Sequence, residues 1–266
     1  MEKNILERIA ERTRESCALV RELRSTAEVK DKALAMAAAE GTFSFPFEEA
    51  LRAPSMAFIC ECKKASPSKG TIVEDFDPVE IAREYETAGA AAVSVLTEPF
   101  FFEGDEQYLA DVSAGITIPT LRKDFVVDEL MIYEAKALRA SAVLLICAIL
   151  SDEELARYVA LCHELGLSAL VEAYEPDEVP RALAAGARVV GVNNRDLRTF
   201  EVDFGRSIDL RPLVGPDRIF VSESGVKTAD DVARLAKAGV DAVLIGETLM
   251  RAGDKRAMLD KLRSKL

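Results

Sequence analysis

Glu61 and Lys63, at alternate positions in Cys60-Glu61-Cys62-Lys63, are the first residues along the chain whose types and spacing suit proton chemistry. Side chains alternate along a strand, so the carboxylate and the ammonium share one face while the two thiols share the other. Further on, Lys123 ends Leu121-Arg122-Lys123, Glu172 follows Val171, and Asn193 closes Val189-Val190-Gly191-Val192-Asn193. In a partly desolvated pocket a lysine is expected to have a lowered pKa and a glutamate a raised one, which suits both to proton transfer near neutral pH. Ser222-Glu223-Ser224-Gly225 and Ile245-Gly246-Glu247 are different in kind. Their small residues and free backbone N–H groups suit a small anion.

The elements that must position these groups repeat along the chain. Helix-period segments end in small-residue junctions and lead into short apolar runs: Ala88-Gly89-Ala90 into Ala91–Leu96, Arg139-Ala140-Ser141 into Ala142–Ile146, Leu165-Gly166-Leu167 into Ser168–Glu172. Ala185-Gly186-Ala187 and Ala238-Gly239-Val240 lead into Val189–Asn193 and Ala242–Gly246 in the same way. Glycine past a helix tolerates the left-handed C-terminal conformation, and continuous apolar runs suit parallel strands buried on both faces. With Met56–Cys62, Pro119–Arg122 and Ile219–Ser222 the runs predict an α/β fold, a (β/α)8 TIM barrel. The competing open, doubly wound sheet normally carries a glycine-rich turn after its first strand, where this chain has Lys64-Ala65-Ser66-Pro67-Ser68-Lys69-Gly70. Asp77-Pro78, Ser151-Asp152-Glu153-Glu154 and Thr228-Ala229-Asp230-Asp231 read as helix starts. Residues 1–45 read as a helical extension of two amphipathic helices, Glu2–Leu23 and Asp31–Ala39, packed on the barrel. The whole of 1–266 is then one barrel domain. In such barrels reacting groups lie at the C-terminal strand ends, and phosphate sites recur after strands seven and eight.

Composition removes several classes of function. The 266 residues carry 34 Lys+Arg against 46 Asp+Glu, a formal net charge of −12, and no tryptophan. That balance argues against a sequence-independent grip on nucleic acid or anionic membrane, and aromatic base-stacking platforms are not expected. No window approaches the roughly 20 apolar residues of a membrane span. The five cysteines are odd in number and form no disulfide framework or zinc pattern, so they read as buried or half-buried thiols of a cytoplasmic protein. His163, on a helix away from any strand end, reads as a surface residue. Phe100-Phe101-Phe102 is either core or pocket wall. Lys64 and Lys69 either ride on a covering loop or are solvated charges.

Taken together, several strings resemble the signatures of the indole-3-glycerol-phosphate synthase family. They are Glu61-Cys62-Lys63-Lys64-Ala65-Ser66-Pro67-Ser68, Ser94–Glu98, Leu121-Arg122-Lys123-Asp124-Phe125, Gly191–Leu197 and Glu223-Ser224-Gly225. The resemblance implies ring closure of 1-(2-carboxyphenylamino)-1-deoxyribulose 5-phosphate to indole-3-glycerol phosphate, with loss of carbon dioxide and water, in tryptophan biosynthesis. It implies no metal and no organic cofactor. By the same resemblance Lys123 is the acid on the ribulose carbonyl, Glu172 and Lys63 serve the dehydration, and Glu61 and Asn193 hold hydroxyls and developing charge. Phosphate contacts fall on Lys63, Ser224, Gly225, Gly246 and the N–H of Glu247. Pro67, Phe102, Phe125 and Leu144 line the anthranilate ring, Ser66 and Arg195 lie near its carboxylate, and Glu223 joins the substrate-binding set. The expected partner is a small phosphorylated molecule, not nucleic acid or membrane, met by a monomer or weak homodimer. Phosphoribosylanthranilate isomerase would need a Cys/Asp acid–base pair instead. A Schiff-base aldolase using Lys123, or a non-catalytic phosphate-binding barrel, are the other readings.

Overall fold

Each apolar run pairs in parallel with its neighbour, and the last pairs with the first. The strands are β1 (Ala57–Cys62), β2 (Ala92–Leu96), β3 (Thr120–Lys123), β4 (Ala142–Ile146), β5 (Ser168–Ala173), β6 (Val189–Asn193), β7 (Ile219–Glu223) and β8 (Ala242–Ile245). The computed structural model describes residues 3–23, 25–196 and 198–266. Ala57 to Cys60 of β1 pair with Ala242 to Ile245 of β8, which closes the sheet into the expected TIM barrel. β3 starts one residue later than its apolar run and takes in Lys123, so that lysine sits in the strand rather than after it.

Alternation sorts the side chains into two packed layers. Phe58, Cys60 and Cys62 of β1 pack outward against the helices, whereas Ala57 and Ile59 pack into the barrel interior with Leu121, Leu144, Leu170 and Val221. Burial pushes the Cys60 thiol up to about 12, which leaves it an inert apolar filler. The helix starts form as read: the Asp77 carboxylate accepts from the N–H groups of Val79 and Glu80, each at 3.0 Å, and Ser151 and Thr228 complete capping boxes with Glu154 and Asp231. Gly89, Gly166, Gly186 and Gly239 take positive φ at the helix-to-strand junctions, and at the fifth junction Arg139 does so at φ 66.

The extension touches both ends of the barrel. Helix α1 (Ile5–Leu23) lies on the side of the C-terminal strand ends, where Arg14 donates to the Ile149 carbonyl at 3.0 Å and Arg21 pairs with Asp128 at 2.6 Å. Its Arg8 and Arg12 guanidinium groups lie over the rings of Phe101 and Phe100, at 5.9 and 4.4 Å. The expected start at Glu2 lies outside the described residues. Helix α2 (Thr26–Glu40) starts earlier than Asp31 and is not amphipathic as expected. It buries only Ala33 and Ala37, whose small side chains allow close packing on the helix Glu129–Ala137. A third helix, α3 (Pro46–Leu51), is too short for apolar periodicity to reveal. Its Phe47 and Leu51 are fully buried against the barrel floor, and Glu48 accepts from Ser168 and pairs with Arg188, which flank the starts of β5 and β6.

His163 is not the surface residue its helix position suggests. Phe45, in left-handed backbone at φ 51, turns its ring edge-on to the imidazole at 6.0 Å, and His163 is half-buried. Among the described residues no helix is long and apolar enough to cross a membrane.

Candidate active site

A cavity of about 530 Å³ opens at the C-terminal ends of the strands. Each of the expected proton-transfer residues lines it: Glu61 and Lys63 from β1 and its end, Lys123 from β3, Glu172 from β5 and Asn193 from β6. The mouth joins five titratable groups deep in the barrel. Lys123 Nζ is 3.3 Å from Glu172 Oε2 and 3.5 Å from Glu223 Oε2, and Lys63 is ion-paired with Glu61. Glu61, Glu172 and Glu223 are all at most 3% exposed.

The protonation pattern corrects one expectation. Burial does work against the charged form of Lys123, but the carboxylates of Glu172, Glu223 and Glu61 outweigh it, so its pKa is raised rather than lowered. Lys123 is therefore an ammonium at physiological pH. Glu223 follows the expected direction: burial, reinforced by the neighbouring Glu172 charge and opposed by Lys123, pushes its carboxyl up to about 8. Neither of its oxygens has a hydrogen-bond partner.

One end of the cavity is apolar. Phe102, Phe125, Leu144 and Pro67 line it, with the Phe102 and Phe125 rings 5.8 Å apart. Buried Glu98 accounts for the first of these walls. Its carboxylate accepts from the N–H groups of Phe100, Phe101 and Phe102 at 3.0, 2.7 and 3.0 Å, which fixes the loop after β2. The Phe100–Phe102 run therefore serves as wall rather than core: Phe102 lines the cavity, Phe101 is partly buried, and half of Phe100 is exposed. Ser66 reaches the same cavity from a small hairpin, Ala65–Ser66 against Gly70–Thr71. Lys69 lines the cavity, and Lys64 pairs with Glu103 at 3.2 Å, so neither is simply a solvated charge.

The other end is built largely from small residues. Ser224, Gly225, Gly246 and Glu247 line it. Ser224 and Gly225 are successive left-handed residues at φ 67 and φ 89, and the Asn194 amide holds that turn by donating to the Ser224 carbonyl at 3.0 Å. Arg195 also lines the cavity; it donates to the Phe200 carbonyl at 3.2 Å and comes within 3.9 Å of Glu247. The Glu247 carboxylate is further paired with Arg251 at 3.2 Å, which offsets its charge.

A model of the family described as indole-3-glycerol phosphate synthase matches residues 6–262. The chain belongs to that family. It is 57% identical over 219 residues to the indole-3-glycerol phosphate synthase of Ruminiclostridium cellulolyticum, covering 82% of this chain and 84% of that one. Against the protein of the same name from Lachnoclostridium phytofermentans it is 49% identical, over 98% of this chain and 100% of the other. Among solved structures, a thiamine phosphate pyrophosphorylase from Pyrococcus furiosus superposes with a TM-score of 0.60 at 17% identity, covering 80% of this chain and 96% of that one. At that identity the likeness concerns the barrel alone. Membership of the synthase family makes the chain a lyase of tryptophan biosynthesis whose family acts on a phosphorylated small molecule.

Sequence reasoning missed several residues of the synthase cavity. Leu96 and Ile146 are strand-end residues on the inward faces of β2 and β4, and Ile146 is readable two positions beyond Leu144. Arg251 has a visible signal in its spacing of four from Glu247 on one helical turn. Phe200 and Val202 have none, because they are brought in by the bridge between Arg195 and Val202. Leu197 lies outside the described residues. Among those described, no group of three or more His, Cys, Asp or Glu could hold a metal ion.

Proposed function

We propose that this chain closes the indole ring of 1-(2-carboxyphenylamino)-1-deoxyribulose 5-phosphate, releasing carbon dioxide and water to give indole-3-glycerol phosphate. The observation that carries the reading is Lys123, a charged ammonium held between Glu172 and Glu223 beside an apolar wall. The aromatic carbon bearing the carboxylate attacks the ribulose carbonyl carbon. As that C–C bond forms, Lys123 gives its proton to the carbonyl oxygen. Carbon dioxide then leaves, and the electrons of its bond restore the aromatic ring. The new hydroxyl departs as water with a proton from one of Glu172 and Lys63, while the other takes a proton from the adjacent C1′ methylene, whose C–H electrons form the C=C bond of the five-membered ring. One proton from solvent restores the starting state.

The remaining residues fit this reaction in three groups. Glu61, Asn193 and Glu223 hold sugar hydroxyls and developing charge, which is worth most in a water-poor site. Pro67, Phe102, Phe125 and Leu144 hold the aromatic ring, with Ser66 and Arg195 at its carboxylate. Lys63, Ser224, Gly225, Gly246 and the N–H of Glu247 take the phosphate. Holding both ends of one substrate brings the reacting carbons together.

Residues 1–266 form one barrel domain with 1–45 as its packed extension. The same reading takes the molecule as a monomer or weak homodimer. Five free, buried cysteines support a cytoplasmic location, and the net charge of −12 disfavours nucleic-acid partners. The test is to add the carboxyphenylamino substrate and follow indole fluorescence. Fluorescent product is expected, without borohydride trapping of Lys123; folded protein that yields none would overturn the reading.

A further inference from the structure

Strand β6 carries a glycine in its interior, where a side chain would normally pack. Val189 and Asn193 face the barrel interior and Val190 and Val192 the helices, so position 191 also faces inward. Gly191 pairs in register with Glu172 on one side and Val221 on the other. A Cβ built there collides with Glu223 Oε1 and comes within 3.1 Å of Leu170 Cδ1. The backbone does not ask for glycine, because Gly191 is not among the positive-φ residues. The space does. Glycine inside a strand often marks a close approach by another group.

We propose that Gly191 is a positioning residue for the ring-closure reaction: its missing side chain is the space that Glu223 uses to face Lys123 and Glu172. Three observations converge on this. Glu223 is 1% exposed and no hydrogen bond anchors either oxygen, so packing and charge hold its carboxyl group. Lys123 Nζ is 3.5 Å from its Oε2, an ion contact without hydrogen-bond geometry. The opposite oxygen, Oε1, is the one that rests over Gly191. Shape therefore does what hydrogen bonds do for most buried carboxylates. The same device recurs once around the barrel, where a Cβ at Gly246, just past β8, collides with the Glu61 carboxylate on β1.

Gly191→Ala, Glu223→Ala and the double variant test this as a cycle, and the test rests on the proposed ring closure for its activity arm only. Gly191→Ala should lower kcat by about 10- to 100-fold, the range for an approximately 1 Å misplacement in a site. In the Glu223→Ala background the same change should alter kcat by less than about 2-fold, because the colliding group is gone. An equal loss in both backgrounds, or no loss in either, would overturn the role. The second readout is the pH dependence of the unfolding midpoint between pH 5 and 8, where Glu223 titrates facing Lys123, Glu172 and Glu61. Gly191→Ala should change that slope in the wild-type background and not beside Glu223→Ala. If Gly191→Ala fails to fold while the double variant folds, the collision is established; if neither folds, Gly191 is a packing residue and the proposal falls. Wild-type protein inactive on the substrate would sink the ring-closure reading, and the unfolding slopes would still decide the Gly191–Glu223 coupling.

Discussion

Lys123 and Glu172 meet across the interior from β3 to β5, 3.3 Å apart, on strands separated by β4. Neither residue belongs to a mobile surface: Lys123 is 15% exposed at its side chain and Glu172 4%. Removing the cation should therefore remove chemistry rather than shape. Lys123→Met, nearly isosteric, should cut kcat by about 10²- to 10⁴-fold, the range for a lost general acid, with the far-UV circular dichroism unchanged. Turnover within a few-fold of wild type would exclude Lys123 as the acid.

Glu223 sets a pH dependence of stability with a definite sign. Its folded pKa, about 8, lies above the ordinary carboxylate value of 4.5, so the folded state binds more protons than the unfolded one between those values. Stability from this group is full below about pH 4.5 and is lost as pH rises through 8. Glu223→Gln keeps the neutral shape and cannot ionise. Its unfolding midpoint should lose less than wild type's between pH 5 and 8, which differential scanning calorimetry across that range would read.

His163 sets the opposite dependence at the other end of the molecule. Burial, with a smaller effect from Arg188, holds its pKa down to about 4 against an ordinary 6.5. The unfolded state therefore takes up a proton first as pH falls, and stability from this group is lost between 6.5 and 4. It is the only histidine in the chain, so its ring resonances titrate without overlap. NMR should show a neutral imidazole at pH 5, and His163→Phe should reduce the acid lability; a ring titrating near 6.5 would contradict the burial.

Arg122, on the outward face of β3, is 2% exposed and bonds the Met131 carbonyl at 2.8 Å, Glu106 at 2.6 Å, Glu134 at 3.3 Å and Asp124 at 3.4 Å. Truncating it leaves buried carboxylate without its cation. Arg122→Met should cost about 3 kcal/mol, the lower end for a broken buried pair. For a chain of this size that lowers the unfolding midpoint by roughly 6–12 °C. A shift below a degree or two would mean that the carboxylates rehydrate at no cost.

Much of this was legible along the chain because the barrel repeats one local rule. The alternation of Glu61 and Lys63 with Cys60 and Cys62 is enough to aim charge inward and sulfur outward, since strand geometry alone decides it. The capping residues Asp77, Ser151 and Thr228 mark helix starts by chemistry confined to a few neighbours. Properties that sum over several strands were not legible. The raised pKa of Lys123 needs carboxylates from β1, β5 and β7 at once, and no window of sequence contains them. The burial of His163 depends on the left-handed backbone at Phe45, and α3 is only one turn and a half of helix. Gly191 passes for one more small residue of the Val189–Asn193 run until Glu223 of the next strand is seen lying over it.

The seated side chains of Phe47 and Leu51 make the barrel a vessel with a stopper at its base. Among the described residues, the cavity above that floor opens at the C-terminal strand ends. Substrate, water, carbon dioxide and product all share a single doorway at the mouth, beneath Ser66 and Lys69 of the small hairpin. Traffic through it is sequential: a bulky product must clear the threshold before the next substrate can settle, so the turnover rate of the whole molecule is exposed to whatever slows that doorway.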